Sequence, residues 1–223
     1  MDEIKYYNNI TVDKSYPLGS ISCGYYKKQV SGLPIKYDIC IISQLPNHFS
    51  AYRDKQRSIS VLDTILLSDQ YILDYVLAHK LKLCVQLRTN KKEEIDYYNY
   101  KFGNSADLIL RKDSSFYTYK TMGQSRLVIG FNSSCVLEAW ALGRKALCVD
   151  FTGTKNYNVI MEDLLIVRNP ASSFFEKHLD YLFSMSMEEY IEQASNTFKY
   201  YIGNDDSHQP HEVIKLKINE LLN

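Results

Sequence analysis

The stretch Arg126–Gly153, RLVIGFNSSCVLEAWALGRKALCVDFTG, decides how this chain folds. It opens on an apolar, β-branched run, Arg126–Phe131, and turns at Asn132-Ser133-Ser134. A helical pattern then runs from Ser134 to Leu142, and a second apolar run follows at Lys145–Phe151. Runs that are apolar throughout, instead of at every second residue, belong to strands buried on both faces, as in a parallel sheet covered by helices. Strand, helix and strand in succession make a βαβ crossover.

Outward from this unit the alternation repeats. Upstream lie the strand Tyr37–Ser43 (YDICIIS), a helix from about Ser58 to Lys80, the strand Leu81–Leu87 and a helix from about Glu93 to Phe102. The strand Ala106–Leu110 and a short helix near Ser115–Met122 follow, and downstream comes Leu164–Val167. The pattern predicts the α/β class: a Rossmann-like, doubly wound parallel sheet of about six strands with a C-terminal helical tail. Residues 1–36, with Gly and Pro but no sustained period, read as a leader holding one short strand around Ile21–Tyr26. Residues 37–170 read as the sheet domain. Residues 171–223 read as helices packing on it, about 172–184, 187–202 and 211–222, the last opened by Pro210 where a first turn tolerates proline.

Composition narrows the function classes. With 223 residues, 26 Lys+Arg against 26 Asp+Glu and 45% hydrophobic content, the chain has the make-up of a globular domain and no net charge pulling it towards nucleic acid or anionic membrane. Five cysteines without a CxxC pair, four of them in apolar runs, read as buried reduced thiols of a cytoplasmic protein. The start MDEIKYYNNITVD has no basic segment followed by an apolar one, and no apolar run is long enough to span a bilayer. Neither a signal peptide nor a transmembrane segment is therefore expected. The 19 tyrosines, beside abundant Lys, Ile and Asn, read as a bias of composition.

In open parallel sheets ligands sit beyond the carboxyl ends of the strands, so the chemistry should lie in the loops Gln44–Arg57, Arg88–Lys92, Arg111–Ser115, Asn132–Ser134 and Thr152–Asn158. Asn132-Ser133-Ser134 can cap the following helix, whose free N–H groups and partial positive charge suit a phosphate. Glu138 is the one charge inside an otherwise apolar helix and must find a partner. It lies four residues after Ser134, on the same face, with a rise of about 6 Å that suits a phosphate at the helix start and a ribose diol further along. The alternative is an ordinary Ser cap with Glu138 paired to a structural cation such as Arg144.

These residues resemble the donor-binding C-terminal half of GT-B glycosyltransferases. The pattern NSS-x-x-LEA-x-ALG-x-K-x-L-x-VDFTG is similar, more narrowly, to the bacterial surface-polysaccharide group that includes the retaining β-Kdo transferases. SYPLGSISCGYY at 15–26, YDICIISQ at 37–44 and NDDSHQPHEVI at 204–214 fit the same group. The resemblance implies that Asn132, Ser133 and Ser134 hold the donor phosphate and Glu138 the ribose hydroxyls. Ser43 and Gln44 would face the same crevice, and Thr152 and Gly153 would line the next loop beside Asp150, itself equally a turn residue. Arg88 stands where related enzymes carry a cationic or His-Pro donor-loop residue. His48, Arg53, Lys55 and Arg57 would add donor contacts, the three cations being otherwise a solvated polar run.

A nucleotide sugar, CMP-Kdo or a related CMP, UDP or dTDP sugar, is then the substrate, with no cofactor and no metal. A surface polysaccharide or lipopolysaccharide is the acceptor, reached at the inner face of the membrane through partners. GT-B enzymes close two Rossmann domains around the donor, and the length here accommodates one. The acceptor side and the catalytic base are therefore expected on a separate domain or chain. A non-catalytic nucleotide-sugar-binding fragment and an epimerase-like relative are the other readings. His79 and His178 fall within helices as structural residues, and His208 and His211, beside Asp205 and Asp206, read as part of a capping turn instead of a metal site. GxSxG, HExxH, P-loop and GxGxxG motifs are missing, which removes the usual support for hydrolase, zinc protease, NTPase and dinucleotide oxidoreductase readings.

Overall fold

Six short strands, β1 (Tyr37–Ile42), β2 (Leu83–Gln86), β3 (Ala106–Ile109), β4 (Ser125–Gly130), β5 (Lys145–Val149) and β6 (Ile166–Val167), run parallel in the order β3-β2-β1-β4-β5-β6. This computed structural model describes residues 20–45, 59–131, 133–153, 163–195, 197 and 210–222. The central strands carry the reason for the topology. Every residue of β2 is buried, as are five of six in β1 and β4, a burial that only helices on both faces can supply. Cys40 of β1 pairs in register with Cys84 on one side and Val128 on the other. The direction of strand addition reverses between β1 and β4, which places the switch point beyond Ile42 and Gly130.

The helices whose bounds lie among the described residues are α1 (Ile21–Val30), α2 (Val61–His79), α3 (Lys92–Phe102), α4 (Phe116–Gly123), α5 (Ser134–Ala141), α6 (Ser172–Ser184), α7 (Met187–Gln193) and α8 (Pro210–Leu222). Local chemistry marks their ends. Ser60 and Asp63 form a reciprocal capping box at the start of α2, and Lys80 closes it in the left-handed conformation; Ser186 and Glu189 repeat the box on α7. The last turn of α5 is followed by Gly143 at φ 71°, a conformation that turns the chain into β5 without a Cβ clash. Trp140, 2% exposed, donates from its indole nitrogen to the Ala146 carbonyl and ties α5 to β5.

One expectation is corrected. Ile21–Tyr26 belongs to helix α1, not to a strand. The β-branched and aromatic residues there favour a strand locally, but Ser20 accepts a hydrogen bond from the Cys23 N–H and caps a helix instead. Cys23 and Val30 bury one side of that helix against α4 and α5, and the Tyr26 ring stacks on Tyr119 at 4.7 Å. Tertiary packing overrides propensity. Among the described residues no helix is long and apolar enough to cross a membrane.

Candidate functional site

At the switch point β1, β4 and α5 approach closely because Gly130 has no side chain: a Cβ there would meet Val136 Cγ2 at 3.0 Å and Ile42 Cβ at 3.4 Å. Above this contact opens a cleft of about 540 Å³, floored by the strand ends and walled by the loops after β2 and β3 and by α4 and α5. The volume falls within the range of small-molecule sites.

One wall carries cations. Arg88 follows β2 and donates from a guanidinium nitrogen to the Gln44 side-chain oxygen at 2.9 Å. Arg111 follows β3 and donates to the Arg88 carbonyl at 3.0 Å, while Asn90 makes reciprocal 2.8 Å bonds with the Arg111 backbone. Lys112, next along, lies over the Tyr117 ring at 4.3 Å. Every one of these cations is held by a neutral partner. Among the described residues none of these guanidinium or ammonium groups is ion-paired, although the carboxylates of Asp113 and Glu138 also line the cleft and Glu94 lies beneath it.

Glu94, 1% exposed on the first turn of α3, organises this wall. Its carboxylate accepts hydrogen bonds from the Arg88 N–H at 3.0 Å, the Thr89 N–H at 2.9 Å, the Thr89 hydroxyl at 2.8 Å and the Ser43 hydroxyl. Four donors on one buried carboxylate fix the loop after β2 to the end of β1. Ser43 therefore lies at the cleft floor, fully buried, with its proton committed to Glu94.

The opposite wall is α5. Ser133 caps it, accepting from the Cys135 N–H at 3.3 Å, and Ser134 is exposed to the cleft. Glu138 lines the cleft one turn further on. Its partner is not Arg144, which donates instead to the Gly123 carbonyl at 2.9 Å, but the Tyr119 hydroxyl of α4. Burial raises the Glu138 pKa, with the Tyr119 hydrogen bond pulling it back, and burial likewise raises that of Tyr119. The Cys135 thiol is pushed up to about 11, by burial first and the Glu138 charge next, while the Arg88 charge acts in the opposite sense. Arg88 and Cys135 line the same cleft.

Ser43, Gln44, Arg88, Ser133, Ser134 and Glu138 thus meet around one cleft. Thr152 and Gly153 do not line it. Thr152 donates from its N–H at 2.9 Å and its hydroxyl at 2.6 Å to one Asp150 oxygen, so Asp150 acts as a turn residue. Asn132, His48, Arg53, Lys55 and Arg57 lie outside the described residues, as do Asp205, Asp206 and His208. His79 stacks on Tyr75 at 4.2 Å, and His178 contacts the Leu164 carbonyl at 2.9 Å, both away from the cleft. Arg111, Lys112 and Tyr119 are cleft residues that the sequence reading did not assign. The loop Arg111–Ser115 was in view; Tyr119 sits in a helix whose pattern gave no sign of what it faced.

No family model matches the sequence, and no curated protein matches it either. Among solved structures, the UDP-GlcNAc 2-epimerase of Methanocaldococcus jannaschii, in complex with UDP-GlcNAc and UDP, superposes with a TM-score of 0.55 at 8% identity, over 83% of this chain and 52% of that one. An α,α-trehalose-phosphate synthase (UDP-forming) of Burkholderia vietnamiensis superposes with a TM-score of 0.54 at 11% identity, over 93% and 51%. At these identities the likeness is one of fold. The chain spans about half the length of either neighbour. Its fold is a Rossmann-like half of the GT-B type.

Proposed function

We propose that this chain is the donor-binding half of a glycosyltransferase, taking a nucleotide-activated sugar in the cleft at the switch point. The carrying observation is the arrangement of Arg88 and Arg111, held by neutral partners, facing the Ser133-capped start of α5, with Glu138 one turn further in. A diphosphate or phosphodiester fits between the two walls, where a helix N-terminus and two guanidinium groups converge. Glu138 and Tyr119 then stand at the depth of the ribose hydroxyls. When the glycosidic C–O bond to the phosphate breaks, the leaving nucleotide keeps the electron pair, and these donors stabilise the charge that develops on it. The fold neighbours support this reading, one being a UDP-forming synthase and the other a complex with UDP. CMP-Kdo remains a candidate donor on the sequence resemblance, with a surface polysaccharide or lipopolysaccharide as acceptor and the acceptor site on another domain or chain. Site roles for Asn132, His48, Arg53 and Arg57, and the division at residues 36 and 170, belong to the same proposal.

Calorimetry with uridine and cytidine nucleotides tests it. Saturable binding weakened at least about tenfold by Glu138→Ala is the expected result; no binding at millimolar nucleotide overturns the donor-half reading. An epimerase-like use of the same half is the second reading, favoured by the epimerase neighbour. Sugar-nucleotide conversion without any added acceptor would select it.

A further inference from the structure

A second pocket lies at the opposite, amino-terminal end of the strands, apart from the donor cleft. It has a volume of about 270 Å³ between the amino ends of β4 and β5 and the helices α6 and α7. Arg126, Arg144 and Lys145 bring three cations to it, and Ile35, Phe183 and Met187 form its accessible apolar wall over the buried Leu127 and Leu182. Two of the cations are engaged. Arg126 pairs with Asp38 at 3.1 Å and lies over the Phe183 ring at 5.0 Å, while the Lys145 ammonium donates to the Leu182 and Met185 carbonyls at the end of α6. Arg144 differs. Its Nε donates to the Gly123 carbonyl, which fixes the plane of the guanidinium, and its two terminal nitrogens meet no acceptor among the described residues.

The neighbouring carboxylates are already committed. Asp38 also accepts from the Lys82 N–H, and Glu189 accepts from the Ser186 N–H in its capping box. Burial lowers the pKa of both Arg144 and Lys145, and the Arg126 charge lowers that of Lys145 further. A half-buried guanidinium with two free donors, beside two more cations and an apolar wall, is a binding surface for an anion.

We propose that this pocket is a second ligand site, taking a small molecule with one oxyanion, phosphate or carboxylate, bonded by Arg144 and carried on an apolar body that rests on Ile35, Phe183 and Met187. It is separate from the donor cleft. The two lie at opposite ends of β4, about 20 Å apart for a six-residue strand.

The test uses the full chain with phenyl phosphate, phenylacetate, inorganic phosphate and benzyl alcohol as probes, by calorimetry and by backbone amide chemical shifts. Phenyl phosphate or phenylacetate should bind saturably and more tightly than inorganic phosphate, with shifts at residues 143–146, and benzyl alcohol should not bind. The stronger of the two aryl probes identifies the oxyanion. Arg144→Gln should weaken binding at least about tenfold, and Arg88→Gln in the other cleft should leave these shifts unchanged. If neither aryl anion shifts residues 143–146 at millimolar concentration, or if Arg88→Gln abolishes those shifts, the proposal is overturned. The wild-type shift map decides the matter even if Arg144→Gln does not fold.

Discussion

The two ends of the sheet treat charge in opposite ways. At the carboxyl end, Arg88 and Arg111 are held by an amide oxygen and a backbone carbonyl, while the carboxylates Glu94 and Asp69 are buried underneath. At the amino end, Arg126 is ion-paired and Lys145 closes a helix terminus. Cations held by neutral acceptors keep their field available to a ligand, whereas cations that close a pair or a helix end contribute to the fold. Arg144 is the amino-end exception, and for that reason it marks the second site.

This contrast can be broken most decisively at Asp69, beneath the carboxyl end. Burial raises its pKa to about 7, with the Tyr97 hydroxyl at 2.9 Å and the Lys101 charge acting in the opposite sense. Below pH 4 the group is neutral whether the chain is folded or not, and it costs nothing. As pH rises from about 4 to 7 the unfolded chain ionises while the fold retains its proton, so stability falls, by roughly 4 kcal/mol once the folded pKa is passed. Asp69→Asn should remove this slope, its advantage over wild type widening by roughly 3 kcal/mol between pH 5 and 8 in urea unfolding. A constant gap would mean that the buried carboxyl is solvated after all.

At the other end Lys145→Met should cost about 2 kcal/mol, because two carbonyls at the end of α6 lose a charged donor. Arg88→Gln should show the reverse profile. It should change the unfolding midpoint little and reduce nucleotide affinity about tenfold, since the side chain ties down little of the fold. A comparable loss of stability in Arg88→Gln would erase the distinction between the ends. Smallest of all, Arg126→Ala should cost about 0.5 kcal/mol and less at high salt, as its ion pair with Asp38 is half exposed.

The sheet was legible because its strands are apolar at every position, a signal that survives without tertiary information. Five of the six lie within the expected runs, trimmed by one or two residues where the loops begin, and β4 starts one residue earlier than its run, at Ser125. Ile21–Tyr26 was misread because the residues that make it a helix, Cys23 and Val30, act only through what they touch. In the cleft, Ser133, Ser134 and Glu138 could be found by spacing along one helix. Glu94 and Tyr119 could not: each works on a residue distant in sequence, Glu94 on Ser43 and Tyr119 on Glu138, and one tyrosine among 19 carries no mark of its surroundings.

Cys135 gives the cleft a built-in handle. The other four thiols are buried in the core, while Cys135 is partly exposed on the first turn of α5, facing the space a donor phosphate would occupy. Its high pKa makes it slow to alkylate near neutrality and faster above pH 9. A thiol reagent at alkaline pH should therefore label the folded chain at one position, and protection of that position by a bound molecule would count occupied clefts one by one.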